Sequence, residues 1–180
     1  MLGSNHGNPW KEYMMSERLA YLAGLFDGEG SFSIQVDMRE YNKTKRKNVR
    51  FNPRMCMTIK YGSEVLDELV EEFGGTVYYY KNGQNRWNLG SREALIVAAE
   101  RIYPYLRIKK DICARFLEAL YVFPKAKSGA SFGGVRAWNK EMVVKVAKIA
   151  LSLNPPTSRK TSKTGEYVKE LVEMYEGEGL

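Results

Sequence analysis

The sequence predicts an α+β domain with an αββαββα core, in which a four-stranded antiparallel sheet carries helices on one face. Three observations predict it. Residues 31–39 and 50–60 alternate between apolar and polar side chains, the period of half-buried strands. Asn82-Gly83, a strong hairpin signal, stands between two further strand-like runs. Stretches with helical spacing of apolar residues precede each hairpin and follow the second. Strands with one apolar face need cover on that face only, which leaves the other open.

The first helix is expected to start at Ser16 as N-cap and to run through Glu17, Arg18, Leu19, Ala20 and Tyr21. Leu19, Leu22 and Phe26 form a stripe suited to the chain's own core. Ala20, Ala23, Gly24 and Asp27 form a second stripe roughly a third of a turn away. Small residues at that spacing let another backbone approach, so the helix has two partners. Gly28 and Gly30 can end it in left-handed conformations.

In the first hairpin Phe32, Ile34, Val36 and Met38 point inward, and Ser33, Gln35, Asp37 and Arg39 outward. A loop with Lys43, Lys45, Arg46 and Lys47 follows. Then Phe51, Pro53, Met55, Met57 and Ile59 point inward, and Arg50, Asn52, Arg54, Cys56, Thr58 and Lys60 outward. Pro53 calls for a position without a ladder donor, such as an edge. Ser63 opens a helix with Val65, Leu66, Leu69, Val70 and Phe73 on one face, closed by Gly74-Gly75. In the second hairpin, residues 76–81 and 84–89, Arg86 and Asn88 share an outer face with Tyr79 and Lys81.

Ser91 caps a helix to Ile102, Pro104 breaks the chain, and a helix runs from about Lys109 to Val122. Beyond a Gly/Ser loop at residues 125–134, an amphipathic helix spans Asn139 to Leu153 until Pro155-Pro156 stops it. A last helix carries Val168, Leu171, Val172 and Tyr175 on one face. The chain thus reads as one domain, 1–180: an arm (1–15), the core (16–124) and a helical annex (125–180).

Composition narrows the function. There are 28 Lys and Arg against 21 Asp and Glu, a net charge of +7, which favours nucleic acid as partner. The long helices carry both signs, so a membrane surface is a poorer acceptor. The first eleven residues form no signal peptide and no apolar run is long enough to span a bilayer. Cys56 and Cys113 lack metal-ligand spacing and read as buried thiols in a reducing compartment. A single histidine, His6, leaves no His-dependent triad and no zinc site. The outward side chains Gln35, Asp37, Arg39, Arg50, Asn52, Arg54, Tyr79, Lys81, Arg86 and Asn88, with Ser33, suit a groove-reading surface. Ser158, Arg159, Lys160 and Thr161, hydroxyls and cations before a helix start, suit backbone phosphates.

Glu29 is the candidate chemical group. As a solvated acid it would face the negative end of the helix dipole, at a cost of a few tenths of a kcal/mol. A cation would relieve that, and an oxygen-only pair of Glu29 carboxylate and Gly28 carbonyl suits Mg²⁺.

Residues Leu22-Ala23-Gly24-Leu25-Phe26-Asp27-Gly28-Glu29-Gly30 resemble the signature of LAGLIDADG homing endonucleases. The downstream order of elements, the turn Arg107-Ile108-Lys109-Lys110 and the segment Asn154…Arg159-Lys160-Thr161 are similar to the single-motif branch. The resemblance implies a saddle-shaped, DNA-binding sheet and a homodimer formed through Ala20, Ala23, Gly24 and Asp27. It implies a site-specific endonuclease that cuts both strands of a long, near-palindromic duplex, leaving short 3′ overhangs. Catalysis would fall to Glu29, Lys109 and, at the end of strand two, Lys60 in preference to Thr58. Mg²⁺ would bind Glu29 and Gly28, with Mn²⁺ or Ca²⁺ able to take the same sites. The usual Asp is replaced by Glu29, one methylene longer. The alternative on the same fold is an intron-RNA-binding maturase or a cleavage-deficient DNA-binding protein. Either would act inside a cell, in prokaryotic cytoplasm or in a mitochondrion or chloroplast, and would not be secreted. Leu171 to Gly179 copies the signature superficially, with Glu173 in place of the glycine, and is not a second motif.

Overall fold

The computed structural model describes residues 9–41, 46–124, 138–153 and 163–177. Helix α1 (Pro9–Glu29) leads into the strands β1 (Gly30–Tyr41) and β2 (Arg46–Ile59). Helix α2 (Glu64–Phe73) precedes β3 (Thr76–Tyr79) and β4 (Asn85–Leu89). Then come α3 (Arg92–Ile102), a 3₁₀ turn at Tyr103–Tyr105, α4 (Lys110–Val122), α5 (Lys140–Leu153) and α6 (Lys163–Gly177). The expected αββαββα order holds.

The sheet is antiparallel throughout, in the order β1-β2-β4-β3. Phe32, Ile34, Val36, Phe51, Met55, Met57, Trp87 and Leu89 are buried under the helices, as the alternation requires. Phe26 of α1 packs at a tilt on Phe32 with 4.8 Å between ring centroids, and Phe32 likewise on Phe116 of α4 at 5.3 Å. Helices α5 and α6 also pack on β1, and their Val146, Ala150, Val168 and Leu171 join the same core. The annex is therefore a continuation of the one core. Pro53 lies opposite Ile34 of β1, while β4 reaches β2 only from Met55 to Ile59. Interior by strand order, β2 is locally an edge where its proline sits.

Two expectations about α1 need correction. The helix begins at Pro9, not at Ser16, with proline at the first helical position where no donor is missed. Ser16 lies mid-helix, where its hydroxyl donates to the Tyr13 carbonyl at 2.7 Å. At the other end, neither Gly28 nor Gly30 is among the glycines of positive φ. Gly30 serves packing instead: a Cβ there would lie 2.4 Å from the Phe26 ring.

Candidate functional site

The nine-residue motif ends at the junction of α1 and β1, and the α4 end of the chain holds that junction. The carboxylate of Asp27 accepts the backbone N–H groups of Arg107 (2.7 Å), Ile108 (3.2 Å) and Lys109 (2.8 Å). In return the Lys109 ammonium donates to the carbonyls of Phe26 (3.1 Å), Gly28 (3.2 Å) and Asp27. Asp27 thus pins the turn that leads into α4 and faces that helix's positive end, while Lys109 satisfies carbonyls at the end of α1 and opposes its negative end. Burial pushes the Asp27 carboxyl up, but the three N–H groups and the Lys109 charge outweigh it and hold the group below its usual range.

Glu29 stands exposed beside this clamp, as does Gly28. The clamp explains how an acid is tolerated at a helix C-terminus, since Lys109 already neutralises that end. It also means that the Gly28 carbonyl, expected to be open, has one hydrogen bond and a second lone pair to offer. Both groups present only oxygen, and one carboxylate with one carbonyl suits a hard cation that keeps several waters.

The expected seam on α1 is divided by the structure. Ala20 and Gly24 are exposed, whereas Ala23 is fully buried in the chain's own core and Asp27 is 9% exposed. Ala23 and Asp27 therefore face inward, and the outward strip is Ala20, Tyr21, Gly24 and Gly28. A Cβ at Gly24 or Gly28 would meet nothing within 4 Å.

Gly30 pairs with Met57, so Thr58 is the β2 residue level with Glu29 when the register is extended by one. Lys60 lies past the end of β2, exposed, with its ammonium 5.4 Å over the Tyr61 ring. The open sheet face presents Ser33, Gln35, Asp37, Arg50, Asn52, Arg54, Arg86 and Asn88, all exposed or half-buried. Asp37 is engaged within the chain, accepting from Gln35 at 3.2 Å and from Asn52 at 2.8 Å. Arg39 holds the matching register position on β1, but its side chain lies outside the described residues, as do Ser158, Arg159, Lys160 and Thr161.

Tyr79 is a correction. It pairs with Asn85, on the helix side of the sheet, and its hydroxyl donates to Asp67 of α2 at 3.1 Å. Tyr78, level with Arg86, takes the outer position, and Lys81 lies in the turn. The cause is loop length. Tyr80 N–H donates to Gln84 O at 3.2 Å and Gly83 takes φ of +78°, a three-residue loop in place of Asn82-Gly83 alone. One extra loop residue moves the whole of β3 to the other face. With Arg54, Thr76, Asn88, Leu89 and Gly90, Tyr78 lines a concavity of about 300 Å³ on the open face. Sequence reasoning missed Thr76 and Tyr78 for this one reason.

Glu29 thus stands exposed at one end of an open sheet face rich in hydrogen-bonding side chains. The match in sequence is more specific: the chain belongs to the LAGLIDADG endonuclease family, whose model covers residues 22–111. No curated protein matches the sequence significantly. Among solved structures, the homing endonuclease I-CvuI in complex with its target, in the presence of calcium, aligns with a TM-score of 0.69 and 18% identity. That alignment covers 91% of this chain and 97% of the other. The homing endonuclease I-TnaI aligns with a TM-score of 0.62 and 22% identity, over 87% and 97%. The archaeal intron-encoded homing endonuclease I-Vdi141I, complexed with DNA, gives 0.62 and 18%, over 92% and 98%. At these identities the likeness is one of fold. Among the described residues, no helix is long and apolar enough to cross a membrane.

Proposed function

We propose that the chain is a homodimeric, divalent-cation-dependent endonuclease that cuts both strands of a long, near-palindromic DNA site and leaves short 3′ overhangs. The carrying observation is Glu29, exposed on the helix that also exposes Gly24 and Gly28 to open space. One acid per chain serves one phosphodiester, so two strands require two chains. A symmetric pairing of α1 through Ala20, Gly24 and Gly28 brings two Glu29 side chains together and joins two sheets into one surface. An isologous interface of this kind matches a palindromic target.

Glu29 and the Gly28 carbonyl would hold the cation, which when bound supplies activation of water and stabilisation of the leaving oxygen. Lys109 holds the carbonyl end of α1 and keeps positive charge beside the acid, where the phosphodiester's charge develops. Thr58, level with Glu29, is the polar side chain of β2 best placed to order water there, ahead of Lys60. Arg50, Asn52, Arg54, Tyr78, Arg86 and Asn88 face the groove and contact base edges or phosphates.

The test is incubation with Mg²⁺ and duplex carrying the sequence that flanks the gene. Cutting is expected from the wild type, and binding without cutting from Glu29→Gln. Tighter binding to intron RNA than to duplex, with no cutting, would overturn the reading in favour of a maturase.

A further inference from the structure

One polar side chain on the open face is almost closed to solvent. Cys56 is 6% exposed, although it points to the same side as the exposed Arg54 and Ser31. Cys56 lies between Ser31 of β1 and Asn88 of β4, while Arg86 is level with Thr58 and Tyr78. Ser31 Oγ stands 3.0 Å from the Cys56 sulfur, and Arg86 Nη2 donates to that sulfur at 3.2 Å. Two atoms of this cluster, Arg86 Nε and Asn88 Oδ1, are buried with no partner among the described residues.

A thiol sulfur is a weak acceptor, so it orients the guanidinium and leaves its outer N–H groups for another ligand. Arg86 Nε and Asn88 Oδ1 are closed to solvent, so a ligand meets them only once the two side chains turn outward; left unpaired each is costly, and together they describe what would satisfy them. A phosphate offers acceptors alone and could answer only Arg86. The edge of a base pair in the major groove offers a donor beside an acceptor, and answers both.

We propose that Cys56 is a positioning residue for sequence recognition. It holds Arg86 against the sheet so that Arg86, in the row level with Glu29, and Asn88, in the next row, together read one base-pair edge in each half-site. This rests on the reading of the open face as a DNA surface. Cys56 itself touches no DNA.

The experiment is selection from a randomised duplex library, without added metal, by the wild type, Cys56→Ala, Cys56→Ser and Arg86→Met. A salt titration on the selected site accompanies it. The wild type is expected to enrich a two-fold symmetric site. Arg86→Met and Cys56→Ala should then lose about 5- to 150-fold discrimination at one symmetric pair of positions, with Cys56→Ser in between. The slope of binding against salt should stay unchanged. An unaltered preference in Cys56→Ala overturns the proposal, and so does a salt slope smaller by about one in Arg86→Met, the mark of a phosphate contact. If Cys56→Ala does not fold, Cys56→Val carries the same test. A wild type that enriches no duplex overturns the DNA reading itself, which the first arm shows before any variant is used.

Discussion

Asp27 and Lys109 form the pair on which the site depends, and their effects on stability should separate from chemistry. Asn at position 27 retains one carbonyl oxygen but places an amide among three N–H donors. Asp27→Asn should therefore cost about 2–3 kcal/mol, because hydrogen bonds to a charged group are lost in a buried setting. Urea denaturation would show it, and an unchanged midpoint would exclude the clamp. Lys109→Met should lower the melting temperature as well as the cleavage rate. A lysine with a purely chemical role would leave the melting temperature where it was. A third residue gives a pH signature. Burial pushes the Cys113 thiol up to about 12, while an unfolded chain has it near 8.5. The raised value means stability is fully present below the unfolded pKa and is lost as pH rises towards the folded one. Between about pH 9 and 12 the wild type should lose more stability than Cys113→Ala, as read by denaturation at each pH.

At the scale of elements, α1 packs on the chain's own core and, in the proposed dimer, on a second copy, and a substitution can test one without the other. Gly24 is helical, exposed, and has open space where a Cβ would go. Replacing it removes a glycine from a helix interior, which favours the helix by about 0.5–1 kcal/mol. Gly24→Leu should therefore leave the protomer folded, or firmer, while abolishing the dimer and cutting of both strands. Sedimentation equilibrium and a thermal melt, run together, check both halves of the statement. Gly30→Ala is the inverse case. Its Cβ would lie only 2.4 Å from the Phe26 ring, itself wedged against Phe32 and Trp87, so the core must move at a cost of about 1–3 kcal/mol. The helices and the first hairpin were legible because their apolar residues repeat at the period of the element. The face of β3 was not. A dipeptide marks a turn but does not state its length, and the difference between Tyr78 and Tyr79 is one residue of loop.

For the whole molecule, charge is the property that the proposed function uses most directly. One chain carries +7, and two copies of +7 make +14 on a dimer. Binding to duplex should weaken steeply with salt, because each phosphate neutralised releases counterions. The slope of log affinity against log salt should fall in magnitude by about one for each phosphate-contacting cation removed, as measured by titration between low and physiological salt. A flat salt dependence would remove the open face from consideration as a DNA surface.

The sequence by itself determined the order of elements, the inward residues of both long strands among those described (the Met38 side chain lies outside them) and the motif with its acid. These follow from local periodicity and from residue types packed into nine positions. It could not determine that α1 starts at Pro9, because a serine in mid-helix looks like a cap until its hydroxyl is seen to bond backwards. Nor could it show that Ala23 and Asp27 face inward, since a helix stripe of small residues has no direction until its neighbours are placed. Tertiary structure alone joined Asp27 to a turn eighty residues away and turned Lys109 back onto α1. Those bonds link segments distant in the chain, and only folding brings their partners within reach.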